Sequence, residues 1–179
     1  MRIFLQIIGL IVLIPAIALL TIKLDKQNND GPSILFPGGK LTSGELHTGA
    51  EPDWTLTDDV SIIELQLEDP LSSRRIFVME NEGKVYIPSG YMRSFLGRIW
   101  KEWAFQADEG NGLAVVRING IRYERQLKRV SAGPELEGIV NKMAKKYAGG
   151  ATPEMVSENL ERIANGDTWI FEMAPRGDT

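Results

Sequence analysis

The hydrophobic pattern divides the chain into two unlike parts. Residues 3–22 read IFLQIIGLIVLIPAIALLTI, with Gln6 and Thr21 as the polar exceptions and no charge. An α-helix of ~20 such residues is long enough to cross ~30 Å of hydrocarbon. Pro15 does not forbid this, because neighbouring groups can take up the carbonyl it frees. The pattern predicts a transmembrane anchor over 1–23. A cleaved signal peptide is the competing reading, since Ala16-Ile17-Ala18 has the small-x-small form of a cleavage site. Leu19, Leu20 and Ile22 carry the apolar run past that site, which favours an uncleaved signal-anchor. A buried core helix is the third reading, and an unbroken run at the terminus disfavours it.

Residues 24–52 are polar and rich in turn formers, as in Gly31-Pro32 and Pro37-Gly38-Gly39. They read as a tether partly packed on the domain, with a short strand over 33–36. From 53 to 179 the pattern is that of a globular domain. Residues 60–67 and 75–79 carry β-forming residues, and Asn81-Glu82-Gly83 turns the chain into a third strand over 84–88. Residues 91–106 read as a helix capped by Ser89, with Met92, Phe95, Leu96, Ile99, Trp100 and Trp103 on one inward face. The sharpest local signal is a hairpin, 113–118 and 121–127, joined by Asn119-Gly120 with the positive φ angles of a type I′ turn. Helices follow, from Pro134 to about Tyr147 and from Pro153 to about Asn165, the second capped by Thr152. A last strand runs over 168–173. These elements predict an α+β fold: a six-stranded antiparallel split β-barrel with inserted and C-terminal helices, preceded by the one transmembrane helix.

Composition narrows the chemistry. The chain has no cysteine, which excludes disulfides, thiolate metal sites and a cysteine nucleophile. Its one histidine, His47, reads as a loop residue, because a zinc site needs several clustered ligands. A net charge of −4 argues against nucleic acid as a partner. Any anion site must therefore be a local basic cluster. The strongest candidate lies from 74 to 93, where Arg74, Arg75 and Arg93 flank a predicted hairpin and helix start. A phosphate there would offset a cation placed at a helix N-terminus; the plainer reading is solvated surface charge. Arg117, Arg122, Arg125 and Arg129 lie on the Asn-Gly hairpin; Arg125 and Arg129, on the face of Tyr123, could take an acidic ligand, but pairing with Glu124 and other carboxylates across strands is the commoner outcome. Trp54 and Trp169 read as packing residues. Trp100 and Trp103 are open to two readings, core or the walls of a ring-binding site.

Arg75-Ile-Phe-Val-Met-Glu80, Tyr86-Ile-Pro-Ser89 and Tyr91-Met-Arg93 together resemble the pyridoxamine-phosphate-oxidase-like split β-barrels, a superfamily that binds FMN, deazaflavin F420 or haem. The resemblance extends over about three quarters of the chain, to uncharacterised membrane-anchored bacterial members. It implies a flavin- or deazaflavin-dependent oxidoreductase, with a non-catalytic barrel that has lost its cofactor as the alternative. It implies cofactor binding by Arg75, Ile76, Tyr86, Ser89, Tyr91, Arg93 and Arg98, with Arg75 and Arg93 on the phosphate. Glu80, Pro88 and Tyr91 depart from the family pattern, and Glu80 would repel phosphate if it faced the site. The expected partners are the bilayer, through 3–22, and a second copy in a homodimer. The expected location is the bacterial inner membrane, single-pass, with the domain on the periplasmic side, since a very short N-terminal tail usually stays inside.

Overall fold

The computed structural model describes residues 2–34 and 36–177; on the first helix it describes side chains at positions 6, 9–21, 24 and 25. Helix α1 spans Arg2–Gln27. Its apolar side chains from Leu10 to Leu20 are exposed. Among the described residues, no helix is long and apolar enough to cross a membrane. The span expected over 3–22 falls partly on Ile3, Phe4, Leu5, Ile7, Ile8 and Ile22, which lie outside the described side chains. The described run from 9 to 20 covers only ~18 Å at 1.5 Å per residue.

The strands are β1 (Glu45–Leu46), β2 (Ile62–Leu67), β3 (Ser72–Phe77), β4 (Met79–Asn81), β5 (Lys84–Ser89), β6 (Leu113–Ile118), β7 (Ile121–Val130) and β8 (Trp169–Pro175). They form one sheet in the order β3-β2-β6-β7-β8-β5-β4, antiparallel throughout, with β1 adding in parallel to β7. β3 and β4 are consecutive, separated by Val78 alone, yet β3 pairs with β2 and β4 pairs with β5. The bend at Val78 thus joins the two ends of the sheet. The result is a half-barrel, consistent with a split barrel, whose split lies between β3 and β5.

The six strands expected become eight for two reasons. The bend divides the strand predicted over 75–79, and the two-residue β1 is too short to carry a pattern. Of the strand expected over 33–36, Ser33, Ile34 and Phe36 are not in a strand and position 35 lies outside the described residues; among the described residues the lead-in makes a bridge between Gly38 and Ser73. The segment is nonetheless well seated. Leu41 is fully buried and its N–H donates to Gln66 Oε1 at 2.7 Å.

Strand alternation sorts the apolar residues into two cores. Inside the barrel lie Ile63, Leu65, Leu67, Val85, Ile87, Val116, Phe171 and Trp103. On the outer face Met79, Tyr86 and Ile170 meet Leu136, Ile139, Val140 and Ile163. These last four come from helices α4 (Glu135–Tyr147) and α5 (Pro153–Ala164). Each such aliphatic or aromatic side chain contributes about 1.5–3 kcal/mol by leaving water. α4 also holds the Val78 bend: Lys146 Nζ donates to the carbonyls of Thr57 at 2.6 Å and Val78 at 2.8 Å.

The Asn-Gly hairpin is as predicted, with φ of 50° at Asn119 and 80° at Gly120. The helix predicted over 91–106 is not. Two helices occur, α2 (Phe95–Trp100) and α3 (Glu102–Glu109), meeting at Lys101. The cap is Ser94, whose Oγ accepts from the Gly97 N–H at 2.9 Å. Ser89 is buried at the end of β5 and donates to Met92 Sδ at 3.1 Å. Of the six apolar residues expected inward, only Met92 and Trp103 are buried. Gly97 packs on the Tyr91 carbonyl so closely that a Cβ would lie 1.7 Å from it. That contact seats α2 on its own lead-in loop, and the rest of its apolar face points away from the core.

Candidate functional site

Two adjacent arginines on one strand must point to opposite faces. Arg74 lies opposite Leu65 and Arg75 opposite Glu64. Leu65 belongs to the barrel interior, so Arg74 turns inward at the split while Arg75 turns to the outer surface. The Arg74 guanidinium carbon lies 5.8 Å from the ring centroid of Trp103. Its Nη2 donates to Ser72 Oγ at 3.0 Å. Its Nε is buried with no partner.

A cleft of about 210 Å³ opens there, with Arg74, Arg75, Ile76 and Phe77 on one side and Pro88 of β5 on the other. Trp100, Lys101 and Trp103 close its helical side, and Ser33, Ile34 and Phe36 of the lead-in form its outer lip. Burial, only partly opposed by the charge of Glu102, pushes the Arg74 guanidinium down to about 10. Burial and then the charge of Arg74 push the Lys101 ammonium below its usual range. Among the described residues neither cation forms an ion pair. Two partly desolvated cations with no carboxylate in direct contact are a standing electrostatic cost, and an anion relieves it.

A second cavity of about 660 Å³ adjoins the cleft and shares Ser33, Ile34, Phe36, Ile62 and Arg75 with it. Its other arginine, Arg117, is already bound, by Glu64 at 2.5 Å and Asp30 at 2.9 Å. Burial raises the Asp30 carboxyl, but hydrogen bonds from Ser43, Thr42 and Arg117 outweigh it and hold the group well below the usual carboxylate range.

Of the residues expected at the site, Arg75 and Ile76 line the cleft. The others lie elsewhere. Tyr86 is buried in the outer core, its phenol pushed up to about 12 by burial and then by the charges of Glu172 and Glu135. Ser89 is sealed against Met92. Tyr91 is exposed, with the Arg162 guanidinium 5.0 Å from its ring. Arg93 and Arg98 are exposed on and before α2. Glu80 does not face the cleft: it pairs with Lys142 at 3.2 Å and accepts the Gly83 N–H at 2.8 Å. Pro88 is a cleft wall. Two further cations line the cleft: Lys101, which no motif in the sequence singles out, and Arg74, which the resemblance passes over for Arg75. The Arg-Arg pair on a strand was itself the signal that one of the two faces inward. His47 lies in a loop, its Nε2 2.7 Å from the Ala50 carbonyl oxygen.

No family model matches the chain, and no curated protein does. Among solved structures it is similar to the conserved hypothetical protein Rv2991 from Mycobacterium tuberculosis. That likeness has a TM-score of 0.47 at 10% identity and covers 68% of this chain and 77% of the other. At that level it decides neither family nor function.

Proposed function

We propose that the barrel binds a phosphate-bearing flavin or deazaflavin, FMN foremost, at the split. The protein is then a membrane-anchored, oxidoreductase-like member of the pyridoxamine-phosphate-oxidase-like split barrels. The observation that carries this reading is that Arg74 and Lys101 line one cleft with neither in an ion pair among the described residues and with the buried Arg74 Nε unpartnered, the charge of Glu102 offsetting only part of the burial of Arg74. A phosphate monoester supplies the charge and acceptor oxygens that the orphaned Arg74 Nε lacks. Arg74 and Lys101 would hold the phosphate, and Trp100 and Phe77 would flank the ring and exclude water from it. When bound, the flavin supplies the electron transfer, so the protein needs no nucleophile of its own. Haem fits poorly, because none of the residues lining the cleft is a histidine, cysteine, methionine or tyrosine able to take an axial position. The apolar stretch of α1 serves as the anchor, with the barrel on the extracytoplasmic side of a bacterial inner membrane.

One observation favours the alternative, a barrel that has lost its cofactor. The cleft alone, at about 210 Å³, is smaller than the roughly 300 Å³ at which ligand pockets begin. An FMN would have to extend into the adjoining cavity past the lip formed by Ile34 and Phe36. Spectral titration of the full chain in detergent with FMN, F420 and haem separates the readings. The flavin reading expects saturable shifts with FMN or F420 and none with haem. No binding by any of them leaves the non-catalytic barrel.

A further inference from the structure

We propose that the exposed face of α2 rests in the lipid headgroup layer, so that the cleft opens at the membrane surface. The proposal rests on α1 being the membrane anchor. Phe95 is 77% exposed and Trp100 69%, and Leu96, Ile99 and Tyr91 are exposed beside them. Water-soluble monomers seldom leave so continuous an apolar patch uncovered. Arg93 and Arg98 lie among these residues, and among the described residues neither forms an ion pair. Aromatic and aliphatic side chains interleaved with unpaired arginine suit the boundary between acyl chains and anionic headgroups.

The connection from α1 fixes which side of the barrel meets the bilayer. α1 ends at Gln27. Asp30 is already pinned to the barrel, accepting Arg117 Nη1 at 2.9 Å and the Thr42 N–H at 2.6 Å. Three residue steps reach at most about 11 Å, so an inserted α1 holds the barrel against the membrane. The chain then passes directly to Ile34, which is 81% exposed and lines the same cleft as Trp100 and Lys101. α2 is thus on the side from which the anchor arrives. A second copy packed on this face would bring Arg93 and Arg98 towards their own counterparts, whereas anionic lipid neutralises them.

The absence of cysteine makes the test direct, because a single introduced cysteine takes the only nitroxide label. The full chain is reconstituted in vesicles of phosphatidylcholine and phosphatidylglycerol, with the label at Ile99→Cys, Leu13→Cys or Lys145→Cys. The Ile99 label is expected to be shielded from a water-soluble nickel chelate on the order of five-fold more than the Lys145 label, with Leu13 shielded as well. Shielding at Leu13 without shielding at Ile99 overturns the α2 proposal and leaves the anchor standing. Exposure at both positions overturns both. Spin–spin broadening between Ile99 labels shows a second copy on this face and also overturns the proposal.

Discussion

The Asn-Gly hairpin and the split of the barrel use the same basic side chains in opposite ways. On the hairpin each arginine has its oxygen partners. Arg117 is held by Glu64 and Asp30, Arg125 by Glu51 at 2.9 Å, and Arg129 by Asp108 at 2.9 Å. Arg122 donates to the carbonyls of Gly44 and Leu41, both at 3.1 Å. Arg125 and Arg129 also lie over Trp54 and Trp169, at 4.7 and 3.6 Å. These charges tie the lead-in and α3 to the sheet. At the split, Arg74 and Lys101 bear the cost of burial without that return. Charge that is already neutralised is structural; charge left desolvated and unpaired is available to a ligand.

The largest expected effect tests the floor beneath the unpaired cations. Trp103 is 1% exposed, and Trp103→Ala should cost about 4 kcal/mol in urea unfolding. Next is a paired arginine. The Arg125 side chain is only 5% exposed, but its partner Glu51 is 44% exposed, so solvent screens part of the loss. Arg125→Ala should therefore cost about 2 kcal/mol, below the range for a fully buried pair. Arg74→Met carries the opposite sign. Replacing an unpaired, half-buried cation with an apolar chain of similar volume should leave stability unchanged or raise it by about 1 kcal/mol. A loss as large as that at Arg125 would break the comparison.

The smallest effect is one of pH. The Lys101 ammonium titrates below its ordinary 10.5 in the folded chain, through burial and then the charge of Arg74. The unfolded chain therefore holds that proton more tightly. The charge costs stability fully below the lowered value, and the cost fades as pH rises to 10.5. Binding of inorganic phosphate needs the charged form. Thermal melts with and without phosphate should show its stabilising effect shrinking as pH rises through the lowered value. Stabilisation that stays constant up to 10.5 would mean that Lys101 does not meet the anion.

Much of the fold was legible because its signals are local. Asn119-Gly120 dictates its own turn, and Thr152-Pro153 and the α4 periodicity need no tertiary information. The errors arose where position depends on distant chain. The spacing of Phe95, Leu96, Ile99 and Trp100 defines a common face but not what covers it. The strand over 75–79 is divided by a bend that Lys146 and Tyr147 hold from far along the sequence. The site was half legible for a similar reason. A one-residue shift of register exchanges the two faces of a strand, so only the pairing of Arg74 with Leu65 shows which arginine turns inward. Glu80, a threat to phosphate in the linear sequence, is instead taken up by Lys142 and the Gly83 N–H, partners that no strand pattern shows.

The central claim is that Arg74 and Lys101 await a phosphate. Calorimetric titration of the full chain with FMN and with riboflavin, which lacks the phosphate, tests it most directly. The account predicts FMN binding at least about ten-fold tighter than riboflavin, as a charge-assisted contact of about 1.4 kcal/mol or more requires. In Arg74→Met that difference should collapse, and in Arg93→Ala it should persist. Equal affinity for the two ligands in the unmodified chain, or a phosphate preference that survives Arg74→Met, would contradict it.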